Sequence, residues 1–304
     1  MADSAQHREL RKKLRHIEIA TSRLATAQMA GQYRSVFKGR GMSFEEVRPY
    51  QPGDDVRQID WNVSARTGGL HVKLFVEERE LTVFLLVDAS RSAAFGTRGR
   101  TRRDLQAEVA ALLAFSAIKN NDRVGLIIFT DRVEHMVPPR KGRQHVMRVI
   151  MDILRFRPAL PGAEPGGLSE ALRALVGVTK KTSVAFVLSD FFLRSPAERE
   201  GFRTSLAIAK QRHDVVPLVA RDPADLELPR AGLVALEDPE TASARLVDLS
   251  SRRGRAAFAA AAARADEGLK DLFRAQGLDF ETLFTDRDPM GPLLRLFRRR
   301  ARRA

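Results

Sequence analysis

Apolar and polar positions divide the chain into stretches of different texture. Within residues 5–30, Leu10, Leu14, Ile17, Ile19, Ala20, Leu24 and Ala27 recur at roughly helical spacing among basic residues, which predicts an amphipathic helix. From Val36 to Glu80 the segments are short and broken by Gly39, Gly41, Pro49, Pro52, Gly53, Gly68 and Gly69. That punctuation belongs to strands and tight turns rather than helices, so this stretch reads as a small β-rich element. Leu81–Asp88 (LTVFLLVD) is then almost wholly apolar and ends in an acid, as a strand buried on both faces should.

Beyond it, helical and strand textures alternate. Residues 101–119 predict a helix with Leu105, Val109, Leu112, Leu113 and Ile118 inward, and Arg123–Phe129 a second core strand with Val133–Val137 as a short edge partner. Residues 142–156, 167–177 and 196–211 read as helices, Ser183–Ser189 and Val215–Val219 as the third and fourth strands. A hairpin at Val234–Leu236 and Arg245–Asp248, an Ala-rich helix over 251–276, a last strand at Asp279–Leu283 and a C-terminal helix complete the series. Such alternation implies an α/β fold with a mainly parallel sheet covered by helices on both faces. The expected organisation is an N-terminal helix (1–35), the β-rich element (36–80), the α/β domain (81–294) and an arginine-rich tail (295–304).

Composition narrows the chemistry. No apolar run is long enough to span a bilayer, and the N-terminus carries charges where a signal peptide needs an apolar core, so a cytoplasmic chain is expected. The absence of cysteine excludes disulfides, thiolate catalysis and Cys-ligated metal sites. The formal net charge of +14 is concentrated at the ends: residues 1–40 hold nine basic and three acidic side chains, and residues 295–304 six arginines and no acid. These ends suit anionic lipid, RNA or an acidic protein surface, with a solvated tail as the plain alternative. Phe297 is the only aromatic in the tail, which gives base stacking little support, so nucleic-acid binding stays the secondary reading.

The most informative short motif is Asp88-Ala89-Ser90-Arg91-Ser92, a D-x-S-x-S sequence closing the first core strand. In open α/β sheets, ligands sit beyond the carboxyl ends of the strands. One carboxylate and two hydroxyls there suit a hard cation such as Mg²⁺ (or Mn²⁺), and Asp190, ending the third core strand, supplies a second acid. The competing reading is a capped turn. His7, His16, His71, His135, His145 and His213 form no metal-binding pair, and no phosphate-binding Gly-rich loop with Lys is present. The glycine-bearing stretch Gly96–Arg100 reads as a mobile loop. Binding rather than catalysis is expected; a Mg²⁺-dependent phosphoesterase built on Asp88 and Asp190 is the enzymatic alternative.

The D-x-S-x-S loop and the second acid together resemble the metal-ion-dependent adhesion site of von Willebrand factor A domains, which implies a Rossmann-type sheet and a partner's Asp or Glu completing the metal's coordination. The threonine of that family's pattern falls at Gly166 and its neighbouring acid at Gly167, with Ser169 or Glu164 as candidate substitutes. A denser resemblance lies upstream. The run from Gly41 to Arg66, GMSFEEVRPYQPGDDVRQIDWNVSAR, is similar to the signature of the domain-of-unknown-function 58 family, which precedes a von Willebrand A-like region. With the downstream strands, Asp222-Pro223 and the 237–241 stretch, the resemblance covers about residues 35 to 295. It implies an adaptor working with a MoxR-type AAA+ ATPase and a client protein. Many members of that family have transmembrane helices; none is expected here. Among the signature's residues, Glu46, Arg48, Asp54, Asp55, Arg57, Asp60 and Arg66 read as an ion-pair network that fixes a platform. The alternative is an exposed docking surface with Tyr50, Trp61 and Arg66 as anchors.

Overall fold

The computed structural model describes residues 15, 17, 26–37, 41–78, 80–158, 166–237 and 243–303. Most of the helix expected within residues 5–30 lies outside them; the described part, α1 (Thr26–Val36), is helical. The chain forms two units, residues 37–81 and residues 1–36 with 82–304.

In the smaller unit β1 (Gly41–Pro49) pairs antiparallel with β2 (His71–Glu78), with a bulge between Phe44 and Glu46. Between them lies a helix that the turn-rich texture conceals, α2 (Trp61–Thr67). Its signals are its ends. Asp60 Oδ1 accepts from Asn62 N and Val63 N at 3.0 and 3.2 Å, and Gly68 closes the helix in the left-handed conformation at φ 73°, the two ends that cap a short helix.

The larger unit is built on a six-stranded sheet: β3 (Thr82–Asp88), β4 (Arg123–Phe129), β5 (Val133–Arg140), β6 (Val184–Ser189), β7 (Asp214–Arg221) and β10 (Glu281–Phe284), in the order β10-β7-β6-β3-β4-β5. All neighbours are parallel except β4 and β5. The helices are α3 (Arg102–Lys119), α4 (Arg143–Arg155), α5 (Gly167–Val178), α6 (Pro196–Arg212), α7 (Arg252–Ala275) and α8 (Met290–Ala301), and β8 (Leu233–Glu237) and β9 (Ala244–Asp248) form a separate hairpin. The mixed α/β expectation with a central, mostly parallel sheet holds.

Successive strand side chains point to opposite faces. Phe84, Leu86, Ala185, Val187, Val215 and Val219 therefore share one core with Leu172 of α5, Phe202 of α6 and Phe273 of α7. Phe186, one position out of step, reaches Phe297 of α8 with ring centroids 6.5 Å apart, placing that helix on the other face. The arginine-rich end is consequently not a tail. Helical spacing sets Leu293, Leu296 and Phe297 on one fully buried stripe, while Arg295, Arg298, Arg299, Arg302 and Arg303 are exposed. Tyr33 of α1 meets Phe297 edge-on at 6.2 Å.

The chain leaves β3 for β4 on one side, whereas β6 returns to the other side of β3. Such a reversal is where open α/β sheets form a ligand-holding crevice, here at the carboxyl ends of β3 and β6.

Candidate functional site

Three of the four candidate metal residues join in one hydrogen-bonded chain in that crevice, beside the fourth. Ser90 Oγ lies 3.0 Å from Ser92 Oγ, which donates to Asp190 Oδ2 at 2.9 Å. Asp88 Oδ1 accepts from Ser90 N at 3.0 Å, folding the loop back on itself. Parallel pairing of Val87 with Leu188 sets Asp88 beside Ser189, whose Oγ donates to Asp88 Oδ2 at 2.6 Å. Ser189 thus completes the cluster, although no motif signals it.

Two further features hold Asp190. The backbone turns left-handed at Phe191, φ 51°, an uncommon conformation for a residue with a side chain. It is secured by Phe191 N donating to Ser189 Oγ at 2.9 Å and by the buried Phe191 ring, 5.2 Å from Phe273. Phe192 N donates to Asp190 Oδ1 at 3.0 Å, and Phe192 is 73% exposed. Buried Arg102, at the start of α3, donates to Ser92 O at 2.8 Å, lies 3.9 Å from Asp190 Oδ2 and pairs closely with Asp225.

Burial, and then the neighbouring Asp190 charge, push the Asp88 carboxyl up to about 6 against the pull of the Ser189 and Ser90 bonds. A buried carboxyl facing a second carboxylate is favoured in its protonated form, and a cation would reverse that preference.

The third loop contributes differently from the resemblance. At Gly167, where that pattern has an acid, a Cβ would lie 1.8 Å from the Thr130 carbonyl oxygen, so the α5 entry packs too closely on the β4–β5 turn for any side chain. Ser169 is buried with its Oγ facing Gly201 of α6, 3.7 Å from where a Cβ there would stand. Glu164 lies outside the described residues. Among the described residues no group of three or more His, Asp or Glu side chains is arranged to hold a metal; the cluster offers two carboxylates and hydroxyls. His71, His135, His145 and His213 bond elsewhere, to Thr67, Asp152, Val124 and Ser183.

Next to this crevice stands a second buried acid. Asp222, after β7, accepts from Thr97 N at 3.0 Å, Thr97 Oγ1 at 2.6 Å, Ala224 N at 3.0 Å and Thr285 Oγ1 at 2.6 Å. The Gly96–Arg100 loop, expected to be mobile, is pinned by these bonds and by an Arg100–Glu108 ion pair at 3.0 Å.

In the smaller unit the signature acids serve the backbone. Arg48 grips Asp54 through two bonds of 2.7 Å, Asp55 Oδ1 accepts from Arg57 N at 2.9 Å, and Lys73 lies 3.4 Å from the capping Asp60. Trp61 is 67% exposed and Arg66 is also exposed, but five residues apart on one helix they point in different directions. Tyr50 is half-buried beyond the end of β1, its N–H donating to Leu70 O at 2.9 Å.

Fold and crevice define an α/β protein with paired acids and hydroxyls at its sheet's reversal point. Residues 46–268 match the family described as protein of unknown function DUF58, and the chain belongs to that family. The uncharacterized protein Rv1480 of Mycobacterium tuberculosis (strain ATCC 25618 / H37Rv) is 35% identical over 292 residues, 96% of this chain and 90% of that one. Among solved structures, conserved hypothetical protein BatB from Bacteroides thetaiotaomicron is similar at TM-score 0.44 and 13% identity, over 73% of this chain and 99% of that one. An aerotolerance-related membrane protein from Bacteroides fragilis NCTC 9343 is similar at TM-score 0.47 and 12% identity, over 74% and 100%. Likenesses of this size do not by themselves define a fold. The cytoplasmic location expected from composition is withdrawn, since these neighbours include a membrane protein. Among the described residues no helix is long and apolar enough to cross a membrane.

Proposed function

We propose that the chain is a protein-binding adaptor with a von Willebrand factor A-like larger unit, whose crevice at β3 and β6 is a degenerate metal-ion-dependent adhesion site for Mg²⁺ or Mn²⁺. The observation that carries this reading is the linkage of Ser90 Oγ, Ser92 Oγ and Asp190 Oδ2 at 3.0 and 2.9 Å beside buried Asp88. The donor set is entirely oxygen, the chemistry hard divalent cations select. Ser90, Ser92 and Asp190 would hold the ion, with Asp88 balancing its charge from the buried side. The ion would supply a coordination position for a partner's carboxylate. Because Gly166 and Gly167 stand where the pattern has its threonine and neighbouring acid, this chain offers fewer ligands than the complete pattern, and affinity for metal alone is weaker than for metal with partner. The exposed Phe192 ring gives that partner an apolar anchor.

From the family resemblance we assign the partner as a MoxR-type AAA+ ATPase acting on a client protein held by this chain. The role is binding, not catalysis. Calorimetric titration with Mg²⁺ and Mn²⁺ tests the site: saturable heat in the wild type and none in Asp88→Ala or Ser90→Ala is expected. A pull-down of the ATPase with and without chelator tests the partner. Absence of metal binding in the wild type, together with chelator-insensitive capture, overturns the metal-dependent reading.

A further inference from the structure

At one end of the main sheet β10 pairs with β7 and has no strand on its other side among the described residues. Such an edge presents unpaired N–H and C=O groups to any extended chain that reaches it. Alongside it lies a cleft of about 520 Å³ whose walls include Thr282 and Phe284 of β10, Arg287, and Pro292 and Arg295 of α8. Arg295 also belongs to a second cleft, of about 470 Å³, lined by Arg298, Arg299, Arg302 and Arg303.

These arginines are unequally satisfied. Arg299 and Arg303 meet Asp279 at 3.6 and 3.0 Å, and Arg295 reaches Glu281 only at 3.8 Å. Arg298 and Arg302 have no acidic partner among the described residues, and both are exposed. Guanidinium forks match carboxylates in two-bonded pairs, and a cluster with surplus positive charge gains most from an anionic ligand.

The surroundings discriminate between anions. Leu293, Leu296 and Phe297, the apolar side of α8, are fully buried and so unavailable for insertion into a bilayer. The Phe284 ring is covered by Arg287, 4.7 Å from its centroid, which removes the stacking platform a nucleic-acid base would use. A polypeptide needs neither, and the free strand edge suits it.

We propose that the β10 edge and the arginine face of α8 form a docking site for an extended acidic polypeptide segment of a partner protein, added to the sheet as a further strand with its carboxylates on Arg295, Arg298 and Arg302. Strand addition takes affinity from main-chain bonds and selectivity from alternate side chains. The site is separate from the β3–β6 crevice and does not depend on metal.

Fluorescence anisotropy on the full chain, with a labelled peptide of alternating Glu and Val, tests it. The peptide should bind, and Arg298→Glu/Arg302→Glu should weaken binding by about tenfold or more, as should N-methylation of the peptide backbone. The milder Arg298→Gln/Arg302→Gln pair should fall between, and Asp88→Ala should bind as wild type does. Equal affinity in the charge-reversed variant, or undiminished binding of the N-methylated peptide, overturns the proposal. So does binding of oligothymidylate or phosphatidylserine vesicles in place of the peptide.

Discussion

Asp88 and Asp222 follow parallel strands of the same sheet, both buried and both bonded to hydroxyls, yet their acidities move in opposite directions. Burial raises the Asp88 carboxyl and Asp190 adds to the rise, so the bonds from Ser189 and Ser90 leave it at about 6. Burial also pushes the Asp222 carboxyl upward, but bonds from Thr285, Thr97 and Ala224 outweigh it and hold the group below its ordinary value. Donors hold Asp222 down, whereas desolvation and a neighbouring charge hold Asp88 up. Asp222 is a finished latch that ties the loop after β3 to the exits of β7 and β10. Asp88 is an electrostatically incomplete centre, and incompleteness of that kind is what a bound cation relieves.

Removing the latch should be the most damaging change. Asp222→Ala abandons four donors, the buried Thr285 hydroxyl among them, and at roughly 1 kcal/mol or more for each lost bond to a charged acceptor, a loss of about 4 kcal/mol is expected in urea unfolding. A loss below about 1 kcal/mol would mean that Asp222 is no latch and would erase the contrast.

The pH dependence sharpens the same comparison. With its folded-state value raised from 3.8 to about 6, Asp88 binds more protons in the folded than in the unfolded chain between those values. Its contribution is therefore fully present below the lower value and is lost as pH rises through the higher, about 3 kcal/mol in all. Asp222 has the reverse sign, contributing stability above its ordinary value that is lost as pH falls. Asp88→Asn should match wild type near pH 4 and exceed it in stability above about pH 6, with Mg²⁺ restoring the wild type at the higher pH. Stability curves that stay parallel across this range would remove Asp88 from the account.

Gly167→Ala probes how tightly the α5 entry packs on the β4–β5 turn. Accommodating a Cβ 1.8 Å from the Thr130 oxygen should cost about 2 kcal/mol as overpacking, read from the thermal midpoint. An unchanged midpoint would show that the α5 entry moves freely. The smallest effect is expected for Thr101→Ala, which removes the capping bond to Asp104 N at 3.1 Å and about 1 kcal/mol. Because α3 carries Arg102, which links Asp190 to Asp225, this variant should also loosen the connection between the two acids, visible as faster amide exchange at Phe192.

The core strands were legible because strands covered on both faces must be apolar throughout, and LTVFLLVD and RVGLIIF admit no other placement. Asp88, Ser90, Ser92 and Asp190 stood out as polar residues directly following such runs. Ser189 escaped notice: a serine closing a strand looks unremarkable until parallel register sets it against Asp88. Asp222 was visible only beside Pro223 within the family resemblance, since its partners Thr97 and Thr285 lie 125 and 63 positions away. In the smaller unit, seven helical residues were hidden among glycines and prolines, although Asp60 and Gly68 marked both ends. The arginines of 295–303 drew attention to charge and away from Leu293, Leu296 and Phe297, whose spacing already described a buried helix.

By itself, then, the sequence determined most strands and helices of the larger unit, that the sheet is mostly parallel, and where polar groups leave its core, because periodicity and burial are local properties of the chain. Tertiary structure alone decided the strand order that opens the crevice between β3 and β6, the exclusion of a side chain at Gly167, and the opposite acidities of Asp88 and Asp222. Each of these depends on which distant groups approach within a few ångströms, and hydrogen bonding, steric contact and charge act over that distance whatever the separation along the chain.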